Sequence, residues 1–207
     1  MEHCIVEYAE YGLDISNASP FINYSEIRYN GKTGSNYDYG IGIRSASGSP
    51  RITNCDIHNN DMGVDIYYSS GNFISYNTIR DNSPRGGGEV EYAPFSYNTI
   101  KNNTYSSSEG NDPAAGIKVN GGTFEHNIIH GNHSSSSRSV ASGLFLEYPD
   151  ASNNILYNNT GHSYALRLER YWDNGDDFTD NIIADGATFF YDIEIKGSVK
   201  NNIFAGG

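Results

Sequence analysis

The sequence predicts an all-β fold, a right-handed parallel β-helix of about eight coils of 21–30 residues each. Three observations predict it. A short unit reads apolar-x-x-Asn-x-Ile-x-x-Asn and then Gly-apolar-x-apolar, and it recurs along nearly the whole chain. Asn returns at the same two places of unit after unit. The composition, with 23 Gly and 17 Tyr in 207 residues and little Leu or Ala, suits short strands joined by turns rather than long helices.

The first strand of each unit is centred on Val6, Ile27, Ile57, Ile79, Ile100, Ile129, Leu156, Ile183 and Phe204. Five residues earlier runs a second apolar series: Ile22, Ile52, Ile74, Phe95, Phe124, Ala151, Phe178 and Val199. Side chains alternate across a strand, so each series faces one way, inward. One unit cannot bury such a face alone, whereas units stacked about 4.8 Å apart share a continuous core.

Two residues before each centre lie Cys4, Ser25, Cys55, Asn77, Asn98, Asn127, Asn154, Asn181 and Asn202. Three residues after it lie Asn30, Asn60, Asn82, Asn103, Asn132 and Asn159. Asn suits a tight bend because it tolerates a left-handed backbone and its amide can bond to the Asn above and below. A β-sandwich of short strands gives no reason to fix Asn at those places. Cys4 and Cys55 occupy the Asn position two coils apart, about 10 Å, too far for a disulfide, so both are expected as buried thiols.

The third element is the Gly-apolar strand. Its members are 12–15, 40–43, 63–66, 116–119, 143–146, 165–168 and 192–195, with 88–91 a weaker copy. The corner before it is enlarged at residues 31–39, 104–115 and 133–142, and the corner after it at 170–177. Loops on a rigid solenoid are natural carriers of function. Ser134 to Ser137 reads better as tolerated surface drift.

Net charge −12 argues against nucleic acid, which needs a basic surface, and against anionic lipid. No apolar run is long enough to insert in a membrane. The chain is expected to be a single domain, residues 1–207, cut from a longer protein, because neither end reads as a polar capping repeat. Its open ends are then available for homo-oligomer formation.

Repeats such as Ile52 to Asn60 (ITNCDIHNN) and Ile74 to Asn82 (ISYNTIRDN) resemble those of the pectin-lyase-like superfamily of right-handed parallel β-helices. The resemblance covers nearly the whole chain and specifies the fold. It implies an extracellular, cell-surface or periplasmic setting but no single activity. That superfamily spans polysaccharide lyases, glycoside hydrolases, epimerases, phage tailspikes, adhesins and accessory proteins. The Asn-Thr-Asp and Gly-His-Gly strings expected of polygalacturonase-like enzymes are absent, as is the Asp-Pro-His-Glu of alginate epimerase-like repeats.

Three outward rows are candidate sites. Arg28, His58, Arg80, Lys101 and His130 could grip an acidic polymer, or they could be a solvated face partnered by Glu26 and Asp56. Tyr68, Tyr92 and Tyr148, with Tyr171 and Trp172 nearby, form an aromatic row suited to binding carbohydrate. Beside it, Glu91, Glu147 and Glu169 with Lys118 and Arg167 are the candidate catalytic set, for acid–base chemistry, β-elimination or calcium ligation. Calcium is the one candidate cofactor. His126, His130 and His133 have a spacing that suits a helix better than a strand, a weak metal signal. The expected function is recognition of a polysaccharide along one face, with lyase or hydrolase activity as its enzymatic form. The alternative is a non-catalytic structural or adhesive solenoid.

Overall fold

Stacked apolar residues with a bend every few positions leave the chain little choice but to wind. The computed structural model describes residues 1–31, 40–67, 71, 73–107, 114–136, 141–148, 150–162, 164–169, 177–184 and 198–205. They form parallel sheets that run the length of a solenoid. Sheet one has nine strands, from Ile5–Glu7 to Ile203–Phe204. Sheet two has seven, from Tyr11–Ala18 to Tyr164–Glu169, and sheet three has eight, from Phe21–Asn23 to Ser198–Lys200. At about 4.8 Å per strand, sheet one is about 38 Å tall. None of the described residues forms a helix long and apolar enough to cross a membrane.

The predicted columns form in register. The reference residues from Val6 to Phe204 are Cα partners in sheet one. The series from Ile22 to Val199 is likewise aligned in sheet three. Together with the inward residues of sheet two they make one core. Phe95 and Phe124 stack inside it with ring centres 5.5 Å apart.

Both Asn columns are ladders. Asn127 donates from its backbone N–H and its Nδ2 to Asn154 Oδ1, at 2.9 and 3.1 Å. The same Nδ2 donates to Phe95 O at 3.0 Å. Asn103 repeats the pattern with Asn132 and Ile79 O. Each amide thereby satisfies the buried backbone at a corner where sheet pairing lapses. The left-handed residue, however, is the one before the ladder Asn. Tyr24, Asn54, Tyr76, Tyr97, His126 and Asn153 have positive φ at one corner, and Tyr29, Asn59, Asp81 and Asn102 at the other. The left-handed residue makes the bend and points out, which turns the following Asn inward onto the ladder.

The Gly-apolar strand needs two corrections of register. Leu13 aligns with Ile43, not Ile41, so the repeat there is Gly42-Ile43. Val90 aligns with Ile66, so Gly87 rather than Gly88 takes the recurring Gly place of the column and Glu89 turns outward. Runs of Gly hide register because they carry no side chain to show a face. The Gly itself is required by close approach: a Cβ on Gly42 would lie 2.6 Å from Gly63 O and 2.9 Å from both Asn60 Nδ2 and Ile57 Cγ2. The strand predicted at 192–195 lies outside the described residues.

A small fourth sheet, Thr104–Tyr105, His133–Ser134 and Thr160–Gly161, was not foreseen and stiffens the enlarged corner. Beyond it Ala114 bridges Ala141, which sets these adjacent enlargements side by side. Cys55 is a buried free thiol as expected, but Cys4, on the first coil with a neighbour on one side only, is half-buried.

Candidate functional site

The outer face of sheet two collects the charged candidates. One outward column runs Asp14, Arg44, Asp65, Glu89, Lys118, Phe145 and Arg167 through successive strands. The next outward column includes Glu91, Asn120, Glu147 and Glu169. Both follow from alternation: each of these residues sits beside an inward apolar one.

Lys118 is the hub. Its Nζ lies 3.0 Å from Glu89 Oε1 on the preceding coil and 3.0 Å from Glu147 Oε2 on the following one. Burial opposes its charge, but these two carboxylates outweigh burial and hold its pKa above the ordinary lysine value. Phe145 is fully buried beneath it, with Nζ 5.4 Å from the ring centre. The guanidinium of Arg167 lies 4.9 Å from the same ring and pairs with Glu169, Nη2 to Oε1 2.9 Å. Ala114 and Ala141 pack on Phe145, so the enlarged corners wall this face on one side.

Asp65 and Glu89 belong to this site and were missed in the sequence. Burial, then the charge of Glu89 on the adjacent strand, push Asp65 up to about 6. Arg44, held by Tyr67 Oη at 2.7 Å, pulls the other way without winning. Glu91 is raised by the same two causes. Asp65 could have been found as the residue between Val64 and Ile66, the position that holds Lys118 and Arg167 in later coils. Glu89 was hidden by the one-residue register error at Gly88.

At the far end of these strands the chain turns on Tyr92 and Tyr148, both left-handed. Tyr92 is 54% exposed. A Cβ on Gly121 would lie 2.6 Å from its Cδ1, so the ring leans over a coil that has no side chain there. Tyr148 is half-buried. Tyr68, Tyr171 and Trp172 lie outside the described residues.

The remaining rows resolve differently. On sheet one, Arg28 pairs with Glu7 and Glu26, and Arg80 with Asp56 and Asp81. His58 is buried with Nε2 2.8 Å from Glu26 Oε1, and this bond is the largest cause of the lowered Glu26 pKa. The first three members of that row are thus engaged coil to coil with Glu26 and Asp56 among their partners. His126, His130 and His133 go to separate places: stacked on Tyr97, stacked on Tyr157, and against Thr160 Oγ1. Among the described residues no three His, Cys, Asp or Glu side chains gather to hold a metal ion.

No curated protein and no solved structure matches the chain. The sequence does match the family described as "Right handed beta helix region" over residues 1–124, more than half of its 207. With parallel columns wound in register about one core, the chain belongs to this right-handed β-helix family.

Proposed function

We propose that this β-helix is a polysaccharide-recognition module and that the outer face of sheet two is its binding and reaction surface. One observation carries the reading. A carboxyl that keeps its proton to about pH 6, Asp65, sits one strand from a carboxylate, Glu89, ion-paired to Lys118. Carboxyl groups whose surroundings drive their protonation apart are suited to acid and base roles. Strands about 4.8 Å apart bring two such groups close to the separation used for displacement at a sugar carbon. Asp65 would protonate the leaving oxygen and Glu89 would act on the opposite face. Tyr92 offers a flat apolar ring for a sugar at the rim.

β-Elimination has less support. Its candidate bases are Lys118, an amine that holds its proton between two carboxylates, and Arg167, a guanidinium paired with Glu169. The acidity of the face favours a neutral or amino sugar polymer over a polyanion. We propose with it an extracellular, cell-surface or periplasmic setting. The second reading, a structural or adhesive solenoid, is favoured by the coil-to-coil ion pairs of sheet one, which use up their charges internally.

The test is a screen of neutral and acidic polysaccharides by affinity electrophoresis and by release of reducing ends. Retardation by a neutral glycan that falls at least tenfold in Tyr92→Ala is expected. Reducing ends that vanish in Asp65→Asn, with binding kept, support hydrolysis, and the activity should decline above about pH 6 as Asp65 ionises. Products absorbing in the ultraviolet would signal elimination and overturn the assignment. Failure to bind any glycan leaves the structural solenoid.

A further inference from the structure

The outer face of sheet three carries an exposed cation held between rings. Phe21, Arg51 and Phe73 are Cα partners on three successive strands. The Arg51 guanidinium lies between the two exposed rings, 5.9 Å from one centre and 5.8 Å from the other. Arg28, Arg80, Lys118 and Arg167 each have a carboxylate within ion-pair distance, whereas Arg51, like the ring-flanked Arg44 of sheet two, has none among the described residues. Segments 18–25, 48–55, 69–77 and 93–98, which include these strands, contain no Asp or Glu, although the chain has 25. The nearest acids along the sheet, Glu2 bonded to Asn23 and Glu125 beside Ser96, stand at the two ends of the patch rather than beside its guanidinium.

A second row of exposed rings borders the patch, three residues on, at the left-handed bend that follows each strand. Tyr76 and Tyr97 stack there with centres 5.0 Å apart. Between the two rows lie Thr53, Ser75 and Ser96, all buried beneath the surface, so the rings and the guanidinium are what the patch presents. The stacked Tyr rings cover one another's faces and present edges, so apolar contact comes from the outer faces of Phe21 and Phe73.

We propose that this patch binds an acidic polysaccharide along the solenoid axis, its carboxylate or sulfate held by Arg51 and its sugar rings against Phe21 and Phe73. A guanidinium offers paired donors that match such an anion. Two rings hold it in place, so little side-chain freedom is lost on binding. Charge separates this site from the face of sheet two. Sheet two's outer surface is acidic and repels polyanions, while the three strands around Arg51 carry no acid of their own.

Affinity electrophoresis tests it with polygalacturonate, chondroitin sulfate, dextran and poly-glutamate as probes. The wild type should be retarded by one or both acidic glycans, and preference between those two distinguishes carboxylate from sulfate. Arg51→Gln should weaken that retardation at least tenfold, with an unchanged thermal midpoint because the side chain is exposed. Arg51→Lys should restore only part, lacking the paired donors. Tyr92→Ala, on the other face, should leave it intact. Equal retardation of wild type and Arg51→Gln, or none of the wild type by either acidic glycan, would overturn the proposal. So would poly-glutamate binding as tightly as the glycans, since charge alone would then explain it. Loss of acidic-glycan binding in Tyr92→Ala would merge both ligands onto sheet two and likewise defeat the assignment.

Discussion

Ser45 places a hydroxyl in an inward column of sheet two, between Ile15 and Ile66. It is fully buried and its Oγ has no hydrogen-bond partner. A buried hydroxyl without a partner costs about 1–3 kcal/mol. Ser45→Val should therefore raise the urea midpoint, by about 1–2 kcal/mol in stability. A lower midpoint would show that a bound water satisfies the hydroxyl in solution. Asp65 makes a second prediction at this scale. Folded, it keeps its proton to about pH 6, whereas an unfolded Asp releases it near 4. The stability it contributes is full below the unfolded value and is lost as pH rises through about 6. Asp65→Asn should therefore match wild type in stability near pH 4. Near pH 7.5 it should be more stable, by up to about 3 kcal/mol. Urea midpoints at the two pH values decide it, and a gain at pH 4 as large as at pH 7.5 would mean that ionisation is not the cause.

The ladders are the elements that convert a repeat into a solenoid. Asn127 donates three hydrogen bonds, and its Oδ1 accepts two from Asn98. Asn127→Ala leaves Phe95 O and the Asn98 backbone N–H buried without those partners, and should cost about 1–3 kcal/mol. The same change at Asn202, whose coil is more exposed, should cost less because water can replace the amide. Equal losses at the two sites, read from denaturation midpoints, would show that burial does not set the value. These columns were legible in the sequence because an Asn needed by the backbone above and below cannot drift. Which residue makes the bend was not legible. The left-handed position accepts Tyr, His, Asn or Asp here, and only the three-dimensional trace separates it from its neighbour.

Across the whole molecule, each coil touches only the coils beside it, so stability should be nearly a sum of coil and interface contributions. Amide hydrogen exchange on Asn127→Ala should then show lost protection first at Ile128–His130 and Thr123–Glu125 and at their partner strands. Protection at Glu26–Arg28 and Asp56–His58, several coils away, should be retained. A uniform loss along the rod would indicate a single cooperative unit.

The sequence alone determined the winding, the core columns and the two ladders. A side chain that repeats against its own copy in the next coil leaves a period in the chain, and Ile57, Ile79 and Ile100 are such a record. It also brought forward Glu91, Lys118, Glu147, Arg167 and Glu169 on one face, because alternation along a strand is local. Only the tertiary structure decided which outward residues meet. Asp65 next to Glu89, Lys118 between Glu89 and Glu147, and Arg51 between Phe21 and Phe73 join residues 22 to 30 positions apart. Coil length varies between them, and the faces tolerate almost any residue. Outward neighbours therefore leave no period to read, and their chemistry becomes visible only when the register across the coils is known.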